Sequence, residues 1–198
     1  PTRPWFVVIP KNGKPIAIIP DIGRDLMART WIDDIRTWPS PRREDEGISL
    51  LVEVLEGAKN IGILMGEEAS LRMPLEDFEK LKLKIDGTFS DCSKIIKKVR
   101  LIKSEKEILI LKNICSVANR SFDRANRLFF SGQPLNEAFR EFKIALLEEG
   151  AEEVPYLVGG AGRDGYVDVI SPPSSKPLEN GDILMLDTGS TLKGYFCD

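Results

Sequence analysis

Two aspartates near the end of the 198-residue sequence have the chemistry of metal ligands. Asp187 follows the apolar run Ile183–Leu186, and Asp198 follows Tyr195–Cys197, so each ends a predicted β-strand. Between them, Gly189–Gly194 is typical of a hairpin turn, and each aspartate lies a comparable distance from its tip. The spacing therefore predicts adjacent antiparallel strands with the two carboxylates on one face, directly opposite each other and about 5 Å apart at Cβ.

Two carboxylates held this close repel each other unless one is protonated or a cation lies between them. Divalent metal ions take oxygen ligands of this kind. The sequence thus favours a metal site at Asp187 and Asp198, and it assigns no catalytic residue. One alternative stays open, in which Asp187 only caps the turn and Asp198 only ends a strand.

The sequence contains no histidine. Acid–base or metal chemistry within it must therefore use carboxylates, thiols or lysines. The three cysteines, Cys92, Cys115 and Cys197, are odd in number and lack the spacing of metal ligands. We expect free thiols in a reducing cytoplasm.

A glycine-rich segment matches the dinucleotide-binding pattern but lacks its context. Gly160–Gly165 has the G-x-G-x-x-G spacing, and that motif must open a helix whose N-terminus holds the pyrophosphate. The β-branched run Tyr166–Ile170 follows instead. The sequence therefore predicts a glycine turn between two strands and no nucleotide cofactor.

Composition and charge exclude several classes of protein. Hydrophobic residues make up 42% and charged residues 30%, as in ordinary globular proteins. The net charge is −3 and the isoelectric point is about 5.3, so the chain would not attract phosphates and we expect no nucleic-acid partner. The longest apolar runs, such as Ile16–Ile19, are too short to span a membrane, and we expect no membrane partner.

Strand and helix patterns alternate in the first part of the sequence. Trp5–Ile9 and Ile16–Ile19 are β-rich runs on either side of Asn12-Gly13, which predicts a hairpin with a tight turn. Further apolar patterns predict a short helix and a strand within Ile22–Ile35, a helix over Ile48–Glu56, a strand over Asn60–Met65 and a helix over Pro74–Leu83. This alternation is typical of an α/β module.

Two longer helices and a set of strands are predicted next. Ser104 and Glu107 form a capping-box pattern, which opens a helix over Ser104–Phe130. A second helix starts at Pro134 and ends at Gly150. Short apolar runs then predict strands over Val154–Val158, Tyr166–Ile170, Ile183–Asp187 and Tyr195–Asp198. Helices followed by an antiparallel meander are typical of an α+β domain.

Both ends of the sequence look interrupted. Pro1 is not an initiator methionine, and Pro1–Ile9 enters a strand at once. The last strand stops at Asp198 without a cap or a polar tail, whereas complete domains normally cover apolar strand ends. We therefore expect the chain to be a piece of a longer protein, truncated at both ends.

The segment from Leu178 to Asp198 resembles the first metal-binding hairpin of the pita-bread-fold metallopeptidases. That family includes methionine aminopeptidase, aminopeptidase P, prolidase and the related creatinase. The shared pattern is Gly-Asp, apolar residues, Asp-x-Gly, a short turn, Gly-Tyr, and a second Asp eleven positions after the first. Arg100–Ser104, with Glu107 opening a long helix, also resembles the entry to the catalytic domain of this family.

The resemblance covers nearly the whole chain and implies its organisation. The α/β module resembles the N-terminal domain of the prolidase, aminopeptidase P and creatinase branch, which methionine aminopeptidase lacks. Residues 1–92 would form part of that domain. Residues 93–198 would form the first part of an α+β pita-bread catalytic domain, with its two leading helices in the same order and of the same length.

The resemblance also implies a metal site. Asp187 would be a terminal ligand and Asp198 a bridging ligand of two divalent ions, with Mn, Co, Zn and Fe all open as the metal. The family completes the site with one His and two Glu further along the chain, so we expect both ions only in the complete protein. Val169–Pro173 stands where the family usually places a substrate-facing His, which is a departure from the pattern of ordinary Xaa-Pro peptidases.

The implied function is hydrolysis of a C–N amide bond in a small peptide or amide substrate, as in Xaa-Pro dipeptidase or aminopeptidase P. We expect a metal-dependent cytoplasmic enzyme that is a homodimer when complete, and an inactive 198-residue piece. A pita-bread-fold protein that binds a partner without catalysis is one alternative. A creatinase-like amidase that works without metal is another, and the retained aspartate pair argues against it.

Limited proteolysis tests the predicted division into two domains. We expect early cleavage within Asp91–Lys103, because segments that join domains are more accessible to proteases than packed cores. Mass spectrometry of the products would locate the cuts. A chain that is cut nowhere in this span and has one contiguous hydrophobic core would contradict the prediction.

Overall fold

The computed structural model describes residues 3–165 and 168–198, so Tyr166 and Val167 lie outside the described residues. It divides into two compact units, Pro1–Leu101 and Ile102–Asp198. The segment Ser93–Leu101, which the domain prediction assigned to the second domain, falls within the first unit. That the two units fold as independent domains stays a prediction.

A three-stranded sheet begins the first unit. Strand β1 (Phe6–Val8) pairs antiparallel with β2 (Ile16–Pro20), which confirms the predicted hairpin, and β3 (Asp34–Trp38) pairs parallel with β2. The predicted tight turn is wrong, since a wider loop joins β1 to β2. Pro10 and Pro15 have no N–H to donate to the strand ladder, which explains why pairing stops before the turn residues.

The rest of the first unit alternates between helices and strands. Its elements are a 3₁₀ turn (Asp21–Gly23), α1 (Arg24–Met27), α2 (Ile48–Val54), β4 (Asn60–Ile63), α3 (Leu75–Lys84), β5 (Thr88–Asp91) and α4 (Ser93–Leu101). Strands β4 and β5 pair in parallel as a separate two-stranded sheet. The main core of this unit buries Ile18, Trp38, Ile48, Leu51, Phe78 and Leu81. The predictions lacked β5 and α4, because β5 holds one apolar residue and α4 mixes lysine with isoleucine.

The second unit opens with the helix that the capping box predicts. Helix α5 (Glu105–Asp123) has Ser104 as its N-cap, and the Glu107 side chain accepts a hydrogen bond from the Ser104 backbone N–H at 2.6 Å. The predicted helix over Ser104–Phe130 is wrong in its length, because the helix is interrupted at Arg124 before the short α6 (Ala125–Leu128). No helix in the described part of the chain is long and apolar enough to cross a membrane.

Helix α7 and a three-stranded sheet complete the second unit. Helix α7 (Leu135–Glu148) packs beside an antiparallel sheet in the order β6 (Glu153–Gly162), β7 (Ile183–Leu192) and β8 (Tyr195–Cys197). The inner face of α7 buries five residues, namely Leu135, Ala138, Phe139, Phe142 and Leu146. They form one core with Ile114 and Val117 of α5 and Leu157 of β6.

The segment between β6 and β7 differs from its prediction. Gly160 and Gly162 belong to β6 and pair with Met185 and Ile183, so the predicted glycine turn begins only after the motif's second glycine. Part of the predicted strand Tyr166–Ile170 lies outside the described residues, and its last three residues are not in a strand. The loop instead runs along the start of α7, where Lys176 O accepts the Leu135 N–H at 3.0 Å. It thereby satisfies a helix N-terminal donor that no side chain caps.

Removal of the Ser104 cap should destabilise the chain. Ser104→Ala loses the side-chain acceptor for the Glu107 N–H, so we expect the free energy of unfolding to fall by about 1 kcal/mol in denaturant titrations. Ser116→Ala is the matched control, because Ser116 lies in the middle of α5 and its hydroxyl only donates to Lys112 O. Equal stability of Ser104→Ala and the unaltered chain would contradict the capping role.

The pH dependence of stability should reflect the ionisation of the Glu107 carboxylate. Hydrogen bonds from the Ser104 backbone N–H, the Ser104 hydroxyl and Tyr195 lower the pKa of Glu107 from its ordinary 4.5. Its ionised form therefore stabilises the folded state above that value, and this contribution is lost as the pH falls through the lowered pKa. We expect the difference in stability between the unaltered chain and Glu107→Gln to stay constant from neutral pH to about pH 5 and to shrink below it. A difference that grows with acidification would contradict this assignment.

Candidate metal centre

The hairpin that carries both predicted ligands turns at Lys193 and Gly194. Their φ angles are 51° and 76°, the left-handed values that a two-residue turn needs to match the twist of its strands. Pairing between β7 and β8 continues up to Leu192 and Tyr195. The turn is therefore shorter than the predicted segment Gly189–Gly194.

This register corrects the predicted alignment of the aspartates. The last pair of the β7–β8 ladder is Ser190 with Cys197, so the next residues along the two strands, Gly189 and Asp198, lie side by side. Asp198 is therefore opposite Gly189 and not opposite Asp187. Asp187 and Asp198 are diagonal neighbours, because the turn lies closer to Asp198 than to Asp187. Alternation along the two strands still puts both aspartates on one face.

The sheet has one packed face and one open face. Leu157 and Cys197 are buried on the packed face, within the core that α5 and α7 form. The open face carries Asp187 and Asp198, both exposed, together with Phe196, which is 42% exposed. The aspartates thus lie on the side of the sheet that the helices of this unit leave uncovered.

A tyrosine that sequence reasoning missed joins the two aspartates. Tyr156 of β6 pairs with Gly189 of β7, so its side chain extends over the same open face. Its hydroxyl lies 3.1 Å from Oδ1 of Asp187 and also within hydrogen-bonding contact of Oδ1 of Asp198. No local sequence pattern predicts this role, because Tyr156 reaches the aspartates only through the pairing of β6 with β7, and a long loop separates these strands in the sequence.

Gly189 leaves room for the aromatic side chains beside the site. The Phe196 ring lies over it, and the rings of Tyr156 and Phe196 are 6.1 Å apart at their centroids. A methyl group on Gly189 would overlap the Phe196 ring and come within 2.7 Å of Cε1 of Tyr156. The missing side chain therefore lets the Tyr156 hydroxyl reach both carboxylates.

The charges around the site are unbalanced. Among the described residues, Asp187 and Asp198 form no ion pair with Lys or Arg, and Tyr156 is their common hydrogen-bonding partner. The contact with Asp198, reinforced by burial and by Asp187, raises the pKa of the Tyr156 phenol well above its ordinary value. A neutral phenol brings one proton to two carboxylates, so a cation at this face would be stabilised by the surplus negative charge.

The donor set fits an oxygen-seeking cation but is incomplete. Carboxylate and phenol oxygens are suited to hard and borderline divalent ions. Within the described residues, no group of three or more His, Cys, Asp or Glu side chains comes together. Asp187 and Asp198 are therefore a partial ligand set, and the two-ion site predicted from the sequence requires further ligands.

Two other segments that the sequence analysis weighed lie outside this arrangement. Gly162 ends β6 and no helix follows it within the described residues, so the dinucleotide pattern lacks the helix N-terminus that it requires. In Val169–Pro173, Ile170 is 81% exposed, and the Asp168 carboxylate accepts the backbone N–H groups of Ile170 and Ser171. Hydrogen bonds from Ser171 lower the pKa of Asp168, which serves this local turn. Cys92, Cys115 and Cys197 are free thiols.

Comparison with known proteins identifies relatives of this chain. Models of protein families give no match. The Xaa-Pro dipeptidase of Pyrococcus horikoshii is 29% identical over 149 residues, which are 74% of this chain and 40% of that protein. The X-Pro aminopeptidase of Thermotoga maritima matches 98% of this chain with 53% of its own, at 21% identity and a TM-score of 0.78. The Xaa-Pro dipeptidase of Bacillus anthracis matches 100% of this chain with 53% of its own, at 21% identity and a TM-score of 0.79.

These matches define the class of the fold. The chain has the fold of about half of a pita-bread peptidase, an α/β module followed by part of the pita-bread domain, which confirms the predicted fold class. Its sequence relatives are Xaa-Pro dipeptidases, which confirms the resemblance to this group of enzymes. The chain spans only 40% and 41% of the length of the two Pyrococcus dipeptidases.

The space above Gly189 can be tested with a methyl group. Gly189→Ala forces the added carbon against the rings of Phe196 and Tyr156, so we expect stability to fall by roughly 1–3 kcal/mol, as in other overpacked sites. Thermal unfolding measures the loss. The double variant Gly189→Ala, Phe196→Ala removes the overlapping ring and should recover much of it. Unchanged stability of Gly189→Ala would contradict the described packing.

Proposed function

We propose that the complete protein is a metal-dependent hydrolase that cleaves a C–N amide bond in a small peptide or amide substrate. The observation that carries this proposal is the convergence of Asp187 and Asp198 on one open face, with no basic partner among the described residues. The relatives support a peptidase role, since they are named Xaa-Pro dipeptidase and probable dipeptidase. Because the chain spans less than half of those relatives, the activity is proposed for the complete protein and not for this piece.

In this proposal the two aspartates divide the work of holding metal. Asp187 would be a terminal ligand and Asp198 a bridging ligand if two divalent ions were bound, as the resemblance of their hairpin implies. When bound, such ions lower the pKa of a water molecule and polarise the scissile carbonyl. The sheet register holds the two carboxylates on one face before any ion arrives, which reduces the cost of assembling the site.

The proposal specifies the type of bond that is cleaved and not a particular substrate sequence. Val169–Pro173 offers no imidazole at the position where the resembling family has a substrate-facing His. We therefore propose a small amide or peptide as the substrate, without limiting it to Xaa-Pro sequences. A cytoplasmic homodimer is proposed for the complete protein on the same resemblance.

A second candidate function is partner binding without catalysis by a protein of the same fold. The departure at Val169–Pro173 favours it, because this chain supplies no imidazole where the resembling family has a substrate-facing His. The acidic pair favours the hydrolase, since two neighbouring carboxylates without a basic partner repel each other unless a cation binds between them, and a surface that only binds a partner does not require this arrangement. A metal-free, creatinase-like amidase is disfavoured by the same pair.

Metal analysis of the complete protein, purified without chelator, tests the proposal. We expect stoichiometric divalent metal and hydrolysis of Xaa-Pro dipeptides or related amides. Asp187→Ala and Asp198→Ala should each remove both metal and activity, because each deletes a carboxylate that no neighbouring ligand replaces.

Asp182→Ala is the matched control for these substitutions. Asp182 precedes β7, and its carboxylate accepts the Glu179 N–H at 2.9 Å within a local turn. This variant should keep its metal and its activity. A complete protein without stoichiometric metal would contradict the hydrolase and favour the partner-binding function.

A further inference from the structure

A cavity of about 430 Å³ opens on the side of the second unit where its helices lie. Helix α6, the loop after it and the outer face of α7 form its walls, which include Arg127, Gln133 and Arg140. The core residues of α7 face the other way, toward the packed face of the sheet. The cavity and the aspartates therefore lie on opposite sides of this unit. Small-molecule sites in proteins usually have volumes of about 300–1,000 Å³.

A buried amide side chain reaches this cavity with a free donor. Gln133 is 4% exposed, and its backbone is fixed from two sides, because its N–H donates to Phe130 O at 3.2 Å and its carbonyl accepts the Leu178 N–H at 2.9 Å. Its side-chain Oε1 accepts the Phe130 N–H. Within the described part of the chain, Nε2 has no hydrogen-bond partner and is not sealed from solvent, so its N–H groups are available to a molecule in the cavity.

Charged side chains of both signs flank this amide. Arg127 of α6 and Arg140 of α7 line the cavity, and neither forms an ion pair with another described residue. Glu137 and Glu141 line it too, and the described residues give neither of them a basic partner within ion-pair distance. These glutamates are one turn apart on α7, a spacing at which like charges destabilise a helix. The cavity thus offers donors to an anionic group and carboxylates to a cationic group.

An aromatic ring adds an apolar wall. Phe130, which is 64% exposed, lines the cavity together with Gln133. A ligand that covered this ring would remove apolar surface from water. An inorganic anion would use only the donors and would be repelled by the two glutamates, whereas a zwitterion with a nonpolar side chain matches all three parts of the lining.

We propose that this cavity binds a free α-amino acid with an apolar side chain. The ligand carboxylate accepts hydrogen bonds from Gln133 Nε2 and from the guanidinium groups of Arg127 and Arg140. Its ammonium group donates to Glu137 and Glu141, and its side chain packs on the apolar wall. This binding site goes beyond the proposed function and does not rest on the metal site.

Isothermal titration calorimetry of the complete protein with L-leucine and L-phenylalanine tests the proposal. We expect saturable binding of at least one of them with a Kd below about 1 mM, an affinity within reach of ligands of this size. Arg127→Gln and Arg140→Gln should each weaken binding at least about tenfold, which is the effect of losing a hydrogen bond to a charged group. Both arginines are exposed, so these variants should fold normally.

Lys143→Gln is the matched control, because it also removes one positive charge from an exposed position of α7 but does not line the cavity. It should bind the amino acid normally. N-acetyl-L-leucine lacks the ammonium group and L-leucinamide lacks the carboxylate, so both should bind at least about tenfold more weakly than L-leucine. Absence of saturable binding of both amino acids would overturn the inference, and so would equal affinities of Arg140→Gln and Lys143→Gln.

Asp198→Ala separates this cavity from the proposed metal site, where an amino acid released by hydrolysis could also bind. Binding should survive Asp198→Ala, because the aspartate lies on the other side of the unit. Binding that is lost in Asp198→Ala but normal in Arg140→Gln would place the amino acid at the metal site. That result would overturn the inference and leave the proposed function intact.

Discussion

The antiparallel register between β6 and β7 sets the position of every oxygen in the candidate site. It pairs Tyr156 with Gly189, and the β7–β8 turn then brings Asp198 to the other side of the same glycine. A shift of one residue would turn the Tyr156 side chain to the packed face, because side chains alternate along a strand. The convergence of one phenol and two carboxylates is therefore a consequence of strand pairing, and the core on the packed face stabilises that pairing.

Helix α5 contributes to the site by holding the β7–β8 hairpin close to its turn. Glu107 caps α5 through Ser104 and also accepts a hydrogen bond from Tyr195, the first residue of β8. One carboxylate thus joins the helix N-terminus to the hairpin next to its turn. On the packed face, Ser190 and Cys197 lie 3.3 Å apart at Oγ and Sγ in a buried contact between β7 and β8. These contacts hold the strand that carries Asp198 against the rest of the unit.

Local signals predicted much of this structure. The capping box at Ser104, the inner face of α7 and the hairpin between Asp187 and Asp198 are all encoded within a few neighbouring residues, and the structure contains each of them. Non-local pairing could not be predicted in the same way. The role of Tyr156 depends on a ladder closed across a long loop, and β5 exists because its backbone pairs with β4, whatever its weak strand pattern.

The turn between the two aspartates shows how a local pattern can be right in kind and wrong in detail. Both Gly189 and Gly194 suit a turn, and the sequence alone does not say which of them reverses the chain. The structure reverses at Lys193 and Gly194 and leaves Gly189 within β7, where its missing side chain admits the Phe196 ring. Glycine has two uses, positive φ and close approach, and only the register distinguishes them.

Anomalous diffraction from crystals of the complete protein grown with Mn²⁺ tests the central claim most directly. The account predicts an anomalous peak on the open face of the β6–β7–β8 sheet, within bonding distance of carboxylate oxygens of both Asp187 and Asp198. An ordered structure with no peak at these residues, or with the two carboxylates on opposite faces of the sheet, would contradict it.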